Sequence, residues 1–212
     1  MDQKNEAEVV IDPTKTALLL LHWQNDIAGP RNERSRDLVE RLAAAHTIEH
    51  TQAVLKASRE KGVLIVYVVA SHRPGYPEIP AKRVPLFRRV VASGTHLRGT
   101  LDTQVIDQIK PLDDEIIVYN YFPSSFYSTD LDLILRNKGI TDLVLSGVAT
   151  NWAVESTARD GICRGYFIYT LEDCCLSLND EMHNWALKNI LSVLGAVIDS
   201  KTYVAALQGR VP

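Results

Sequence analysis

The stretch "VLSGVATNWAVESTARDG", residues 144–161, decides how the rest of the chain is read. An apolar run ends at Gly147, turns through Ala149, Thr150 and Asn151, and opens a segment of helical period near Trp152. A strand running straight into a helix sets the unpaired amides of the first helical turn at the rim of a sheet. There they and the helix dipole stabilise negative charge. Enzymes often display a nucleophile on such a turn. Here the side chain in that place is Ala153, a methyl group with no chemistry of its own.

Working outward, similar apolar runs bounded by turn residues predict strands at 16–23, 63–70, 115–121, 142–148, 166–171 and 195–199. They are apolar throughout rather than alternating, which predicts a sheet covered on both faces. Segments of helical period fall between them, at about 35–61, 130–137, 151–164, 180–194 and 201–207. Gly62, Gly139, Gly165 and Gly195 stand where four of the helices should close. Alternation of strand and helix predicts right-handed crossovers and a three-layer α/β/α domain with a mostly parallel, Rossmann-like six-stranded sheet. Residues 1–15 read as an N-terminal extension and 16–212 as one domain, a size that fits the 212-residue length.

Composition narrows the function. A hydrophobic content of 46%, a charged content of 23% and a net charge of -3 give no electrostatic case for nucleic acid or an anionic membrane. The N-terminus lacks the basic-then-apolar order of a signal peptide, and no apolar run approaches the roughly 20 residues of a membrane helix. A cytoplasmic location is expected. The three cysteines, two of them adjacent, form neither a disulfide framework nor a metal-ligand spacing. Residues 71–99 form the one long connection, with four prolines and little periodicity, and are expected to serve as a lid or a subunit contact. Ligands of open parallel sheets bind beyond the carboxyl ends of the strands, which predicts a rim made of 22–26, 72–76, 120–126 and 150–153.

These rim segments carry a resemblance. "ALLLLHWQND", "PSSFYSTDLDLILRNKGITDLVLSGVATN" and "VESTARDG" followed by "YTLEDCCLS" resemble, in order, the first-strand motif, central block and nucleophile helix of the isochorismatase-like, or cysteine hydrolase, superfamily. The resemblance runs from about residue 16 to 207 and implies that family's fold. Active members carry an aspartate and a lysine that activate the thiolate of a cysteine, which forms the covalent intermediate. Aligned motif by motif, those positions fall on His22, Asn120 and Ala153, so the resemblance implies a divergent member with the whole triad substituted. It also implies a non-proline cis peptide between Val148 and Ala149, with amides at Ala153 and its predecessors aimed into the pocket.

Each replacement removes something definite. Ala153 forms no thioester, Asn120 carries no ammonium charge, and His22 keeps the capacity to move a proton near neutral pH by its intrinsic titration. An engineered cysteine-to-alanine change would account for Ala153 but for neither partner. The branch without cysteine uses the first-strand aspartate as an acid, and that residue is absent too. "VVASHRPGYPE" lacks the aspartate-x-histidine pattern of the metal-binding branch, so no metal and no cofactor are expected.

Around the three, Asp26, Arg73, Tyr76, Tyr121, Phe126, Thr150 and Trp152 are candidate substrate contacts. Arg73 suits a carboxylate through its planar fork. Each has a plainer reading: His22 as a packed histidine, Asp26 as a loop tie, Phe126 and Trp152 as core aromatics, Arg73 as a surface or interface residue. The hydroxyls of Ser124, Ser125 and Thr150 have no general base at a suitable spacing in the sequence. Cys163 falls on a helix and Cys174 and Cys175 after the fifth strand, as small structural residues. Two functions from different classes remain. One is a small-molecule hydrolase, or related proton-transfer enzyme, working without a cysteine and using His22 as acid or base. The other is a pseudoenzyme that binds a metabolite or a protein partner. A small-molecule substrate or ligand is expected in either case, and the resemblance implies a homo-oligomer, dimer or tetramer.

Overall fold

The computed structural model describes residues 9–29, 35–79 and 84–209. Residues 1–8 of the expected extension and 80–83 of the long connection lie outside the described residues. Six strands form one sheet: β1 (Thr16–Leu21), β2 (Leu64–Ala70), β3 (Ile116–Asn120), β4 (Asp142–Val148), β5 (Phe167–Leu176) and β6 (Ala196–Ile198), in the order β3-β2-β1-β4-β5-β6. Every pairing among these six strands is parallel, as expected for this sheet. All strands therefore end at one rim, and β1, at the centre, is buried along its whole length.

The continuous apolarity of β1 follows from its two covered faces. Leu18 and Leu20 point into one core layer with Leu42 and Val54, while Ala17, Leu19 and Leu21 point into the other with Leu131 and Leu135. The first layer lies under α2 (Arg36–Ala44), α3 (Thr47–Lys61) and α9 (Ser200–Leu207); the second lies under α5 (Leu131–Asn137) and α6 (Glu155–Cys163). Ile11 is buried in the first layer and the Tyr169 hydroxyl donates to the Val10 carbonyl at 3.0 Å. The described end of the extension is thus part of the packing.

Three expectations need correction. The helix expected at 35–61 breaks at His46, which takes a left-handed conformation at φ 52° between α2 and α3. The connection 71–99 contains a helix, α4 (Pro85–Ser93), with proline in its first turn, where the missing N–H costs nothing. Strand β5 extends to Leu176, so Cys174 and Cys175 lie on it rather than after it. Asp173 sustains the strand past its charged residues by accepting from the Ser200 amide at 2.8 Å and hydroxyl at 2.6 Å. Among the described residues no helix is long and apolar enough to cross a membrane.

Gly147 joins the sheet to the turn after β4. A Cβ there would lie 2.4 Å from the Leu21 carbonyl oxygen and 2.6 Å from its Cβ, because β1 and β4 meet at this pair. Both obstacles belong to the central strand and cannot swing away. Gly147→Ala is expected to cost about 2 kcal/mol by overpacking, read as a lower urea midpoint at unchanged m-value.

Candidate active site

At the rim, the chain leaving β1 places His22 in a left-handed conformation at φ 58°, a region that His tolerates better than most residues. The His22 amide donates to the Val68 carbonyl at 2.8 Å, so the backbone stays tied to β2 while the ring turns toward β3. There Nε2 lies 3.0 Å from Oδ1 of Asn120, the last residue of β3. Nδ2 of Asn120 donates to the Phe122 carbonyl at 2.7 Å, which fixes Oδ1 as the acceptor and makes His22 Nε2 the donor. Asn120 is fully buried and His22 is 8% exposed. Burial, the dominant cause, pushes the His22 imidazole from the usual 6.5 down to about 4, against the hydrogen bond that it donates to Asn120, which pulls upward. The expectation that His22 titrates near neutral pH is therefore corrected: the ring is a neutral, weakly basic imidazole.

The turn after β4 has a cis peptide between Val148 and Ala149 and continues as a wide helical turn, Thr150–Val154, into α6. Ala153 is 2% exposed and packs in the second core layer. The expected outward amides are partly engaged: those of Trp152 and Val154 donate to the Ala149 carbonyl at 3.0 and 3.3 Å, since the turn closes on itself. Thr150 is fully buried, and its hydroxyl lies 2.8 Å from Nδ1 of His183 on α7 (Asp180–Ala186). A base thus does stand beside one rim hydroxyl, contrary to the sequence expectation. It comes from a segment 33 residues away, for which spacing gave no signal. With no exposed surface Thr150 cannot meet a ligand, and the pair, together with the Ser177 hydroxyl donating to Asn151 at 2.6 Å, holds the turn against its neighbours.

The remaining candidates divide. Phe126 is 4% exposed and stacks on Tyr166 at 5.8 Å between ring centroids, so it is core rather than pocket wall. Trp152 is 48% exposed, and Trp23 is buried in the first layer with its indole donating to Ser146 at 3.2 Å. The Ser124 hydroxyl donates to Asp160, and that of Ser125 bonds Thr157 at 2.9 Å. Arg73 is exposed, and one arm of the fork expected for a substrate carboxylate, Nη1, is paired with Glu78 at 2.6 Å. Burial pushes the Cys174 and Cys175 thiols well up, so neither is a thiolate near neutral pH.

A second group of side chains gathers where β1 and β2 end. Gln24 brackets Ala70, accepting from its amide at 2.7 Å and donating to its carbonyl at 2.9 Å, and also donates to Asp26 at 2.8 Å. Asp26 accepts from both the amide of His96, at 2.9 Å, and its ring Nδ1, at 2.7 Å. The His72 ring lies 5.6 Å from that of Tyr76 and 5.9 Å from that of Tyr121. Tyr76 is buried and donates its hydroxyl to the Thr95 carbonyl at 2.8 Å, while Arg98 donates to the Tyr121 hydroxyl at 3.2 Å. Of the sequence candidates, Asp26, Tyr76 and Tyr121 thus belong to one cluster. His96 was not among them, because nothing in "ASGTHLRG" marks a partner 70 residues away.

A wholly parallel, doubly covered sheet with a buried polar pair at the carboxyl ends of its strands defines an α/β protein with a rim site. The chain belongs to the isochorismatase family, whose domain it matches over residues 16–202. It is 31% identical to the ureidoacrylate amidohydrolase RutB of Acinetobacter baylyi, over 97% of this chain and 89% of that protein. The N-carbamoylsarcosine amidase of Thermoplasma acidophilum is 26% identical with a TM-score of 0.69, covering 88% of this chain and 96% of its own. A cysteine hydrolase of Pseudomonas syringae pv. phaseolicola shares the fold with a TM-score of 0.84 at 22% identity, over 97% of this chain and 99% of that one.

Proposed function

We propose that the chain is a small-molecule hydrolase of the isochorismatase family that adds water directly, without a covalent enzyme intermediate. The observation that carries this is the buried His22–Asn120 pair, 3.0 Å apart and joining the ends of β1 and β3 at the rim. With Nε2–H held by Asn120, the acceptor atom of His22 is Nδ1. Its proton affinity, brought to about 4 by burial, is close to that of an ordinary aspartate, about 3.9. The position that the resemblance aligns with the family's aspartate thus keeps a base of similar strength while losing its negative charge. Loss of the ammonium at Asn120 matches, because the anion that it would neutralise is gone. With Ala153 in place of a nucleophile, water is the attacking group and His22 takes its proton.

A second reading, a protein that binds without turnover, is favoured by the engagement of Asn120 Nδ2 and of the Trp152 amide inside the fold, where neither polarises a substrate. The two readings part on a substrate panel built from the names of the relatives and the family: ureidoacrylate, N-carbamoylsarcosine and the vinyl ether isochorismate. The hydrolase reading expects turnover of at least one, undiminished by iodoacetamide. Saturable binding by calorimetry with no turnover of any compound leaves the binding reading standing.

A further inference from the structure

We propose that His96, oriented by Asp26, is a second proton-transfer residue of this site: a catalytic imidazole that protonates the leaving group while Asp26 positions it. The proposal rests on the hydrolase reading above. A carboxylate can only accept, so the 2.7 Å contact between Asp26 and Nδ1 places the proton on Nδ1 and leaves Nε2 as the working atom. The second bond, from the His96 amide to the same carboxylate oxygen at 2.9 Å, ties the backbone as well as the ring. Imidazole and carboxylate thus form the base-and-orienter arrangement by which enzymes fix a tautomer.

The surroundings are built to hold this geometry. Asp26 is 2% exposed in its side chain, and Gln24 donates to its other oxygen while spanning both backbone groups of Ala70. The loop carrying His96 is added to the end of β2, with His72 donating its amide to the His96 carbonyl at 2.6 Å and accepting from the Arg98 amide at 2.9 Å. His96 keeps 17% of its side chain exposed, whereas its orienting partner is sealed in. Asp26 follows β1 four residues after His22, and His96 is hydrogen-bonded onto the end of β2, the strand paired with β1. A histidine needed only to hold a loop would bond as well through either nitrogen and would not require a buried, doubly braced carboxylate.

For an amide or urea the step balances as follows. A water proton passes to His22 Nδ1 as its oxygen bonds the carbonyl carbon. The C–N bond then breaks as a proton that His96 has taken from solvent onto Nε2 passes to the departing nitrogen. The proton on His22 returns to solvent, restoring both rings, with one water consumed and no redox change.

The test uses the full chain with ureidoacrylate and N-carbamoylsarcosine. His96→Gln is expected to lower kcat by about 10²-fold, at the lower end of general acid–base effects, with KM changed less than threefold. Added imidazole is expected to restore part of the activity of His96→Ala. Two-bond 1H–15N spectra of the neutral ring, the form left after proton transfer, are expected to show His96 as the Nδ1–H tautomer in the wild type and to lose that preference in Asp26→Asn, with kcat falling in parallel. Wild-type kcat in a folded His96→Gln protein, or an Nε2–H tautomer, overturns the proposal and leaves the hydrolase reading intact. If His96→Gln fails to fold, the Asp26→Asn kinetics and the wild-type tautomer decide. Absence of turnover by the wild type overturns both.

Discussion

His22→Ala is expected to lower kcat/KM about 10³-fold on whichever panel compound the wild type hydrolyses, inside the 10²–10⁴ range of positioned general bases. The imidazole accepts the proton and Asn120 only fixes its tautomer, so loss of the ring removes the step while loss of Asn120 would merely disorder it. Alanine at this position has a second effect, because His22 occupies the left-handed region at φ 58° and leaves Asn120 Oδ1 buried without its donor. His22→Asn separates the two effects. Asparagine is among the residues that accept this backbone, and it carries an amide donor but no titrating group. Equal kinetic losses in both variants, with His22→Asn folded, assign the effect to proton transfer. Activity retained in His22→Asn would remove His22 as the base.

An element shows in the sequence only where particular residues carry its signal. β1, β2 and β4 were legible because their burial on both faces forces unbroken apolar runs, and the crossover rule then orders the layers. α4 was hidden by the prolines around it, and the far half of β5 by Glu172 and Asp173, which tertiary hydrogen bonding accommodates. At the site, His22, Asn120 and Ala153 stood out only through resemblance, since spacing alone does not bring residues 98 apart together. His96 and Asp26 are joined by a loop with no periodicity, and His183 reaches Thr150 from a different helix. Local pattern reveals elements; contacts between elements on the rim depend on the packed sheet. The same holds for the state of His22, whose composition says neutral titration and whose burial says otherwise.

That burial has a consequence for stability as large as the kinetic one. Unfolded, His22 takes a proton as pH falls through 6.5; folded, it does so only near 4. Between these values the unfolded chain binds more protons, so stability falls with pH. The contribution is fully present above about pH 6.5, lost progressively below it, and exhausted near pH 4. At 1.36 kcal/mol per pH unit the loss from His22 is about 3 kcal/mol across the window, a large share of the roughly 5–15 kcal/mol of a typical domain. His72 and His183, both lowered by burial, add in the same direction, whereas Glu172, raised by burial, opposes them at the acid end. The lowered carboxyls of Glu115, Asp132 and Asp199 lose their contributions only toward and below the ordinary carboxylate range, which leaves pH 7 to 5 to the histidines. Urea unfolding at a series of pH values is therefore expected to show a midpoint that falls steadily from pH 7 to 5 in the wild type and less steeply in His22→Asn. The difference between the two slopes isolates His22 from the other buried histidines. Identical slopes would mean that the ring is protonated in the folded state at the same pH as in the unfolded one, and would remove the basis for treating it as an aspartate-like base.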